Sequence, residues 1–193
     1  MAAMLESNRT ALKEWAVIQR ALAGGQILLL RKGGILEQKR GFTVEHREFF
    51  LFPTYVHQNE DDLIPAAHRE LAASFKASPP PDQVWFDYYA VAEEVFKVDQ
   101  LDALRLLEGQ HILSWSAVEA RFRYRRPGVH VLALRVFQLM ETIKHPNHKR
   151  YDGCVSWVEL EVALPTASAR PVLSDDDFRA KLEAARLALA ITV

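Results

Sequence analysis

The stretch VHVLALRVFQLM, residues 129–140, decides which fold this chain can adopt. Its apolar residues fall on both alternating sets of positions, which is typical of a strand buried on two faces. The preceding Pro127-Gly128 breaks the chain, because proline cannot continue a helix. The sequence therefore predicts that residues 129–140 form a central strand. Arg135 inside that strand must reach a carboxylate or a solvent-exposed face, since an unpaired buried charge costs several kcal/mol.

A short helix is predicted immediately before this strand. Ser116-Ala-Val-Glu119 has the spacing of a capping box, so Ser116 is expected to cap a helix that ends near Tyr124. Arg125 and Arg126 would then lie at a junction between a helix and a strand.

Further strands are predicted on both sides of the proline run at residues 78–82. Residues 49–56 are aromatic and β-prone, with Pro53 at an edge or a bulge. Residues 84–98 indicate a long strand or a bent pair, and residues 154–163 indicate one more strand. Around Gly24-Gly25 the pattern favours a hairpin between residues 15–22 and 26–30, although a short helical turn could precede it.

Helices are predicted over residues 60–76, over residues 99–108 and from Ser174 to the C-terminus. The last is an amphipathic helix with Ser174 as its N-cap and three aspartates in its first turn. No regular alternation of strands and helices appears. The fold class predicted is therefore α+β, with an antiparallel-dominated sheet or a partly closed barrel and several helices packed around it.

Composition narrows the class of protein. The chain has 193 residues, one cysteine and a net charge of -1, which suits one domain, with a subdivision at residues 78–82 as an alternative. There is neither a secretory leader pattern nor an apolar run long enough to span a membrane. We expect a cytoplasmic protein without disulfides or membrane contact, whose electrostatic function must be local.

Cationic residues follow the apolar stretch Ile27–Leu30. Arg31 and Lys32 precede Gly33-Gly34, where backbone N–H groups and positive charge could contact a phosphate or nucleic acid. The alternative is an ordinary turn in which glycine supplies a positive φ.

The sequence RFRYRR, residues 121–126, is the sharpest local feature of the chain. The paired N–H groups of an arginine guanidinium can donate to two oxygens of one phosphate, and an exposed aromatic ring could stack on a base of DNA or RNA. In the alternative, the arginines pair with carboxylates and the aromatic rings lie in the core. The candidate residues of this segment are Arg121, Arg123, Tyr124, Arg125 and Arg126.

A second cationic loop spans residues 144–150, with the same two interpretations. Its candidate phosphate contacts are Lys144, His145, His148, Lys149 and Arg150. The histidines and Cys154 do not match a zinc spacing, so no metal and no cofactor is predicted. His46 and His57 could form a polar pocket, or could be partly buried structural residues. Cys154 is interpreted as a small buried thiol, and no catalytic residue can be named.

Four stretches together resemble a known family. They are LKEWAVIQRAL at 12–22, ILLLRKGGI at 27–35, VEHREFFLFPTYVHQ at 44–58 and YDGCVSW at 151–157. These resemble the bacterial and archaeal Domain of Unknown Function family numbered 1802 over residues 12–172. The resemblance implies a neighbourhood of restriction–modification, because similar components occur joined to Mrr-type catalytic domains. Any cleavage would then come from a separate restriction-type nuclease.

Three functions remain open at this point. The leading hypothesis is a non-catalytic nucleic-acid-associated accessory module, based on the two basic segments and the family context. The alternative is a small enzyme for a phosphorylated or nucleotide-like ligand, which requires Arg31, Lys32, His46, His57 and Arg126 to converge in one pocket. The third is a protein-interaction domain with an exposed patch built from Phe49, Phe50, Phe52 or Trp85.

Overall fold

The computed structural model describes residues 4–32, 46–153 and 155–190, which form a seven-stranded sheet with α-helices against it. The strands are β1 (Ser7–Trp15), β2 (Leu28–Arg31), β3 (Glu48–Thr54), β4 (Gln83–Val98), β5 (Val129–Pro146), β6 (Trp157–Pro165) and β7 (Arg170–Pro171). The α-helices are α1 (Ala16–Ala23), α2 (His68–Lys76), α3 (Leu101–Arg105), α4 (Trp115–Arg123) and α5 (Asp175–Ala190). The mixed α+β class is therefore confirmed.

The sheet is mostly antiparallel and is not closed. Its strand order is β2-β5-β4-β3-β1-β6, and β7 pairs with β5 beside β2. Only the β1–β3 pair is parallel among the described pairings. Because β2 and β6 lie at opposite ends of the order, the alternative of a partly closed barrel is wrong.

Strand β5 is a central strand, as its two-sided apolar pattern predicts. One side pairs with β4 along most of its length, and the other side pairs with β2 and then β7. The β4–β5 ladder shifts register between Phe86 and Tyr88 and again between Ala92 and Glu94. Such bulges bend and twist a strand pair, which lets these two long strands curve around the core.

Strand β3 shows how both faces of the sheet become buried. Phe49 and Leu51 belong to a core that the helices cover, whereas Phe50 and Phe52 belong to a second core on the opposite face. This alternation follows from the two-residue period of a strand. Pro53 lies beyond Phe50, the last residue of β3 that pairs with β4, so its missing N–H costs no hydrogen bond on that side.

The hairpin predicted around Gly24-Gly25 is wrong. Residues 16–23 form helix α1, whose apolar residues at Val17, Ile18 and Leu22 are buried at helical spacing. Gly24 closes this helix by donating its N–H to Arg20 O at 2.8 Å. The glycine pair therefore ends a helix, and β2 pairs with β5 instead of with the preceding segment.

Three other local predictions are corrected or confirmed at the ends of helices. The helix predicted over 60–76 is α-helical only from His68, after two short 3-10 turns. Ser114 and not Ser116 caps α4, since its side chain accepts from the N–H of Ala117 at 3.3 Å. Ser174 does cap α5, because its Oγ accepts from the N–H of Asp177 at 3.1 Å.

The long strand over 84–98 and the short helix within 99–108 are confirmed as β4 and α3. The strand predicted over 154–163 is observed as β6, and α5 buries Phe178, Leu182 and Ala185. Within the described residues, no helix is long and apolar enough to cross a membrane.

Candidate anion-binding cleft

A cleft of about 290 Å³ opens where the end of β1, the end of β2 and helix α4 meet. Lys13, Glu14 and Trp15 come from β1, Arg31 ends β2, and Arg121 projects from α4. The complete lining is Lys13, Glu14, Trp15, Leu30, Arg31, Lys32, Thr54, Arg121, Val155 and Ser156. The lining therefore includes four cationic residues and a single carboxylate, although the Lys13 ammonium itself donates to the carbonyls of Tyr151 and Gly153.

The carboxylate of Glu14 is buried and fully engaged. The residue is 4% exposed, and its Oε2 accepts from Arg31 Nη1 at 2.9 Å. Its Oε1 accepts from the N–H of Trp15 at 2.9 Å. Arg31 also donates from Nη2 to Ser156 Oγ at 2.7 Å and from Nη1 to Lys13 O at 3.1 Å. The Glu14–Arg31 pair thus joins β1, β2 and the segment before β6.

Arg121 forms the inner wall on the side of α4. Its Nη1 donates to Leu30 O at 3.1 Å, and its guanidinium carbon lies 5.1 Å from the centroid of the Trp15 ring. Burial lowers the pKa of Arg121, with Arg31 adding to the effect and Glu14 opposing it. Arginine nevertheless stays charged at neutral pH because its ordinary pKa is so high.

Lys32 connects the cleft with the turn that follows α4. Its Nζ donates to Phe122 O at 3.2 Å and to the carbonyls of Arg126 and Gly128. A cation at the C-terminal end of a helix is favourable for the helix dipole. Burial lowers the pKa of the Lys32 ammonium. Lys32, predicted from one motif, is therefore in contact with residues of the second motif at 121–126.

The turn after α4 presents an exposed cationic surface, here called the turn surface, which consists of Tyr124, Arg125 and Arg126. Tyr124 is 46% exposed, and the guanidinium carbon of Arg125 lies 4.9 Å from its ring centroid. Arg125 has a φ of 62°, an uncommon conformation for a residue with a side chain. Both arginines lie between α4 and β5, so their predicted place at a helix–strand junction is confirmed. Arg123 instead pairs with Glu119 at 2.8 Å on the exposed side of α4.

Most of the second cationic loop is engaged with its own surroundings. His148 and Arg150 lie 3.1 Å and 3.4 Å from carboxylate oxygens of Glu161. His145 is buried and hydrogen-bonded to the Tyr151 hydroxyl at 3.0 Å, and burial lowers its pKa. Lys144 lies over the Trp85 ring, and Lys149 is exposed. This loop does not line the cleft.

The five residues expected to converge for an enzyme of phosphorylated ligands do not converge. Arg31 and Lys32 line the cleft, whereas His46, His57 and Arg126 do not. His46 is exposed and contacts the Trp157 ring edge-on, at 5.4 Å between ring centroids. His57 is exposed in the turn after β3, with a φ of 66°.

The aromatic patch expected for a protein-interaction domain is also not formed. Phe49, Phe50 and Phe52 are buried in the two cores, and only Trp85 of the four is partly exposed. Across residues 4–32, 46–153 and 155–190, no group of three or more metal-ligating side chains is present. Gly33, Gly34 and Cys154 lie outside the described residues.

Sequence reasoning missed Lys13, Glu14 and Ser156. The signal for the first two was present, because adjacent charges interrupt an otherwise apolar run from Ala11 to Ile18. Ser156 had no comparable signal, since its role depends on contact with Arg31, 125 residues away in the chain.

Comparison with known proteins places the chain in an uncharacterised family. Two crystal structures of mutant ZmASCH proteins from Zymomonas mobilis are similar at 11% identity, with TM-scores of 0.46 and 0.44. The alignments cover 93% and 90% of this chain and 98% and 96% of those chains. No curated protein matches the sequence. Residues 11–184 match the model of the domain of unknown function DUF1802, and the chain therefore belongs to that family.

Proposed function

We propose that this protein is a non-catalytic nucleic-acid-binding module that holds the phosphate backbone on its turn surface. One observation carries the proposal. The exposed Tyr124, Arg125 and Arg126 lie directly beside a cleft lined by four cationic residues, and Lys32 of the cleft is hydrogen-bonded to the Arg126 carbonyl. Cations on one continuous surface can contact consecutive phosphates, and an exposed tyrosine can stack on a base.

The conformation of Arg125 supports a binding role. A positive φ in a residue other than glycine costs free energy of order 1 kcal/mol and is retained where surrounding contacts fix it. Here the preceding helix and the contacts of Lys32 hold the turn, so the two arginines are presented from a fixed backbone. The position of His46 and His57 outside the cleft favours binding over acid–base catalysis.

The resemblance to components of restriction–modification systems adds a biological context to this proposal. In that context the module would act as an accessory, and a separate restriction-type nuclease would supply any cleavage. DNA and RNA remain equally compatible with contacts made only to phosphates and to one base face.

The test is a fluorescence-anisotropy titration with labelled duplex DNA, single-stranded DNA and single-stranded RNA at two salt concentrations. We expect binding that weakens steeply with salt, because phosphate contacts release counterions. Replacing both Arg125 and Arg126 by alanine should weaken binding about tenfold or more and flatten the salt dependence by roughly 0.7–0.9 per lost phosphate contact.

A charge-matched control is Arg69→Ala combined with Arg179→Ala. These arginines are exposed on α2 and α5 and lie outside the cleft and the turn surface. This control removes the same charge and should leave binding nearly unchanged. An absence of binding at low salt and micromolar protein, or an equal loss in the control, would refute the proposal.

A second candidate is an enzyme that acts on a nucleotide-like ligand in the cleft. The observation in its favour is that Arg31 and Lys32 line a concave site with a carboxylate, Glu14. Because both oxygens of Glu14 are already hydrogen-bonded, this residue is a poor general base. Thermal-shift screening with nucleotides, phosphates and divalent metals is the discriminating experiment, and a flat response would count against an enzyme.

A further inference from the structure

We infer that the cleft binds a phosphate monoester, the group found at the end of a nucleic-acid strand or on a free nucleotide. This inference deepens the proposed function and rests on it where the phosphate belongs to the end of a nucleic-acid strand. It assigns the turn surface to phosphates inside a strand and the cleft to a terminal phosphate.

The cleft is lined by more cationic than acidic residues. Glu14 is ion-paired with Arg31 and offsets the charge of Arg121 only in part, so the single carboxylate does not balance the cations of the cleft. Lys32 and Arg121 both hydrogen-bond to backbone carbonyls, and neither forms an ion pair with a described residue. Neutral carbonyls compensate a cation less well than an anion does. A ligand with two negative charges would supply the missing compensation.

Arg121 has hydrogen-bond donors that no described residue uses. A guanidinium has five N–H groups in a fixed fork, and Arg121 uses Nη1 for Leu30 O. Its Nε and Nη2 make no hydrogen bond to the described residues, while Trp15 and Leu30 O hold its plane in place. Such a pre-positioned fork is suited to two oxygens of one phosphate.

Hydroxyl groups complete the set of donors. Ser156 Oγ accepts from Arg31, so its own O–H can point to a ligand. Thr54 is a second hydroxyl-bearing residue of the lining. A monoester offers three terminal oxygens and close to two charges at neutral pH. A diester inside a strand has one charge and offers fewer free oxygens, so a cleft that presents two cations to one phosphate favours the monoester.

The test compares the same oligonucleotide with a 5′-phosphate, a 3′-phosphate or hydroxyls at both ends, at pH 7.5 and low salt. We expect at least one phosphorylated form to bind about tenfold more tightly than the hydroxyl form, because charge-assisted hydrogen bonds are lost in the latter. Competition by the nucleoside monophosphate and by inorganic phosphate distinguishes a strand end from a free ligand. If the cleft binds a strand end, the monophosphate and inorganic phosphate should compete only weakly with the oligonucleotide. If it binds a free nucleotide, the monophosphate alone should bind as tightly as the strand.

Two variants assign the preference to Arg121. Arg121→Gln should abolish the difference between phosphorylated and hydroxyl ends. Since Arg121 packs against Trp15, Arg121→Lys serves as the second variant, which keeps the charge but loses the fork and should retain only part of the preference. Arg105→Gln is the matched control. Arg105 also stacks on a tryptophan, at 3.7 Å from the Trp115 ring centroid, but lies outside the cleft.

The outcomes separate this inference from the proposed function. Equal binding of all ends by the wild-type protein, with no competition by monophosphate, overturns the inference and leaves the turn surface as the binding site. Binding of monophosphate without any binding of strands supports the cleft and overturns the nucleic-acid module. A preference that persists in both Arg121 variants overturns the assignment to this cleft.

Discussion

The contacts of Arg135 predict that its replacement destabilises the fold, unlike replacement of the exposed Arg125 and Arg126. Arg135 lies inside β5 and is 4% exposed. Its Nη2 donates to the carboxylate of Asp175 and to Leu173 O at 3.3 Å. Its guanidinium carbon is 5.0 Å from the ring centroid of Phe178. The side chain therefore ties the central strand to the first turn of α5.

The expected loss follows from these contacts. A hydrogen bond to a charged group contributes about 1.5–3 kcal/mol, and a cation–π contact contributes about 0.5–2 kcal/mol. The ion pair with Asp175 contributes less than a buried pair would, because Asp175 is about half exposed and would be solvated once Arg135 is replaced. Arg135→Ala should then lower the free energy of unfolding by about 2–4 kcal/mol. For a domain of this size, each kcal/mol shifts the melting temperature by roughly 2–4 °C.

Urea denaturation and thermal melting would measure this loss. Arg135→Met, which keeps the apolar stem, should lose less than Arg135→Ala. Combining Arg135→Ala with Asp175→Asn should cost less than the sum of the two single changes, since both remove the same contact. The double alanine variant at Arg125 and Arg126 should change stability by less than about 1 kcal/mol, because both are exposed. Equal losses in the two alanine variants would show that the turn surface is structural and would refute this reasoning.

Two further predictions concern stability. Burial lowers the pKa of His111 to about 4 from 6.5, so between these values the unfolded chain binds the proton and stability falls as the pH drops. Between pH 7.5 and 4.5 this should remove about 2–3 kcal/mol, and His111→Gln should lose distinctly less over the same range in urea titrations. A variant with an unchanged pH profile would contradict this role. Ser114→Ala should cost about 1 kcal/mol through the lost cap of α4, whereas Ser116→Ala should cost less than about 0.5 kcal/mol. Equal melting temperatures of these two variants would contradict the assignment of the helix cap to Ser114.

The two-sided apolar pattern of residues 129–140 and the cap at Ser174 were sufficient to predict β5 and α5. Both signals are local, since alternation of burial and side-chain capping depend on residues a few positions apart. The same local rules failed around Gly24-Gly25, where a glycine pair can end a helix as well as turn a hairpin. Only the pairing of β2 with β5 decides between these two structures.

The sequence by itself determined the mixed α+β class, the central strand, the C-terminal helix and the cationic character of residues 31–32 and 121–126. Tertiary structure alone decided that these two basic segments meet through Lys32 and Arg121, while residues 144–150 engage Glu161 instead. It also decided that Lys13, Glu14 and Ser156 belong to the cleft. The physical reason is that a strand order brings together residues far apart in the chain, and no local pattern encodes which strands become neighbours.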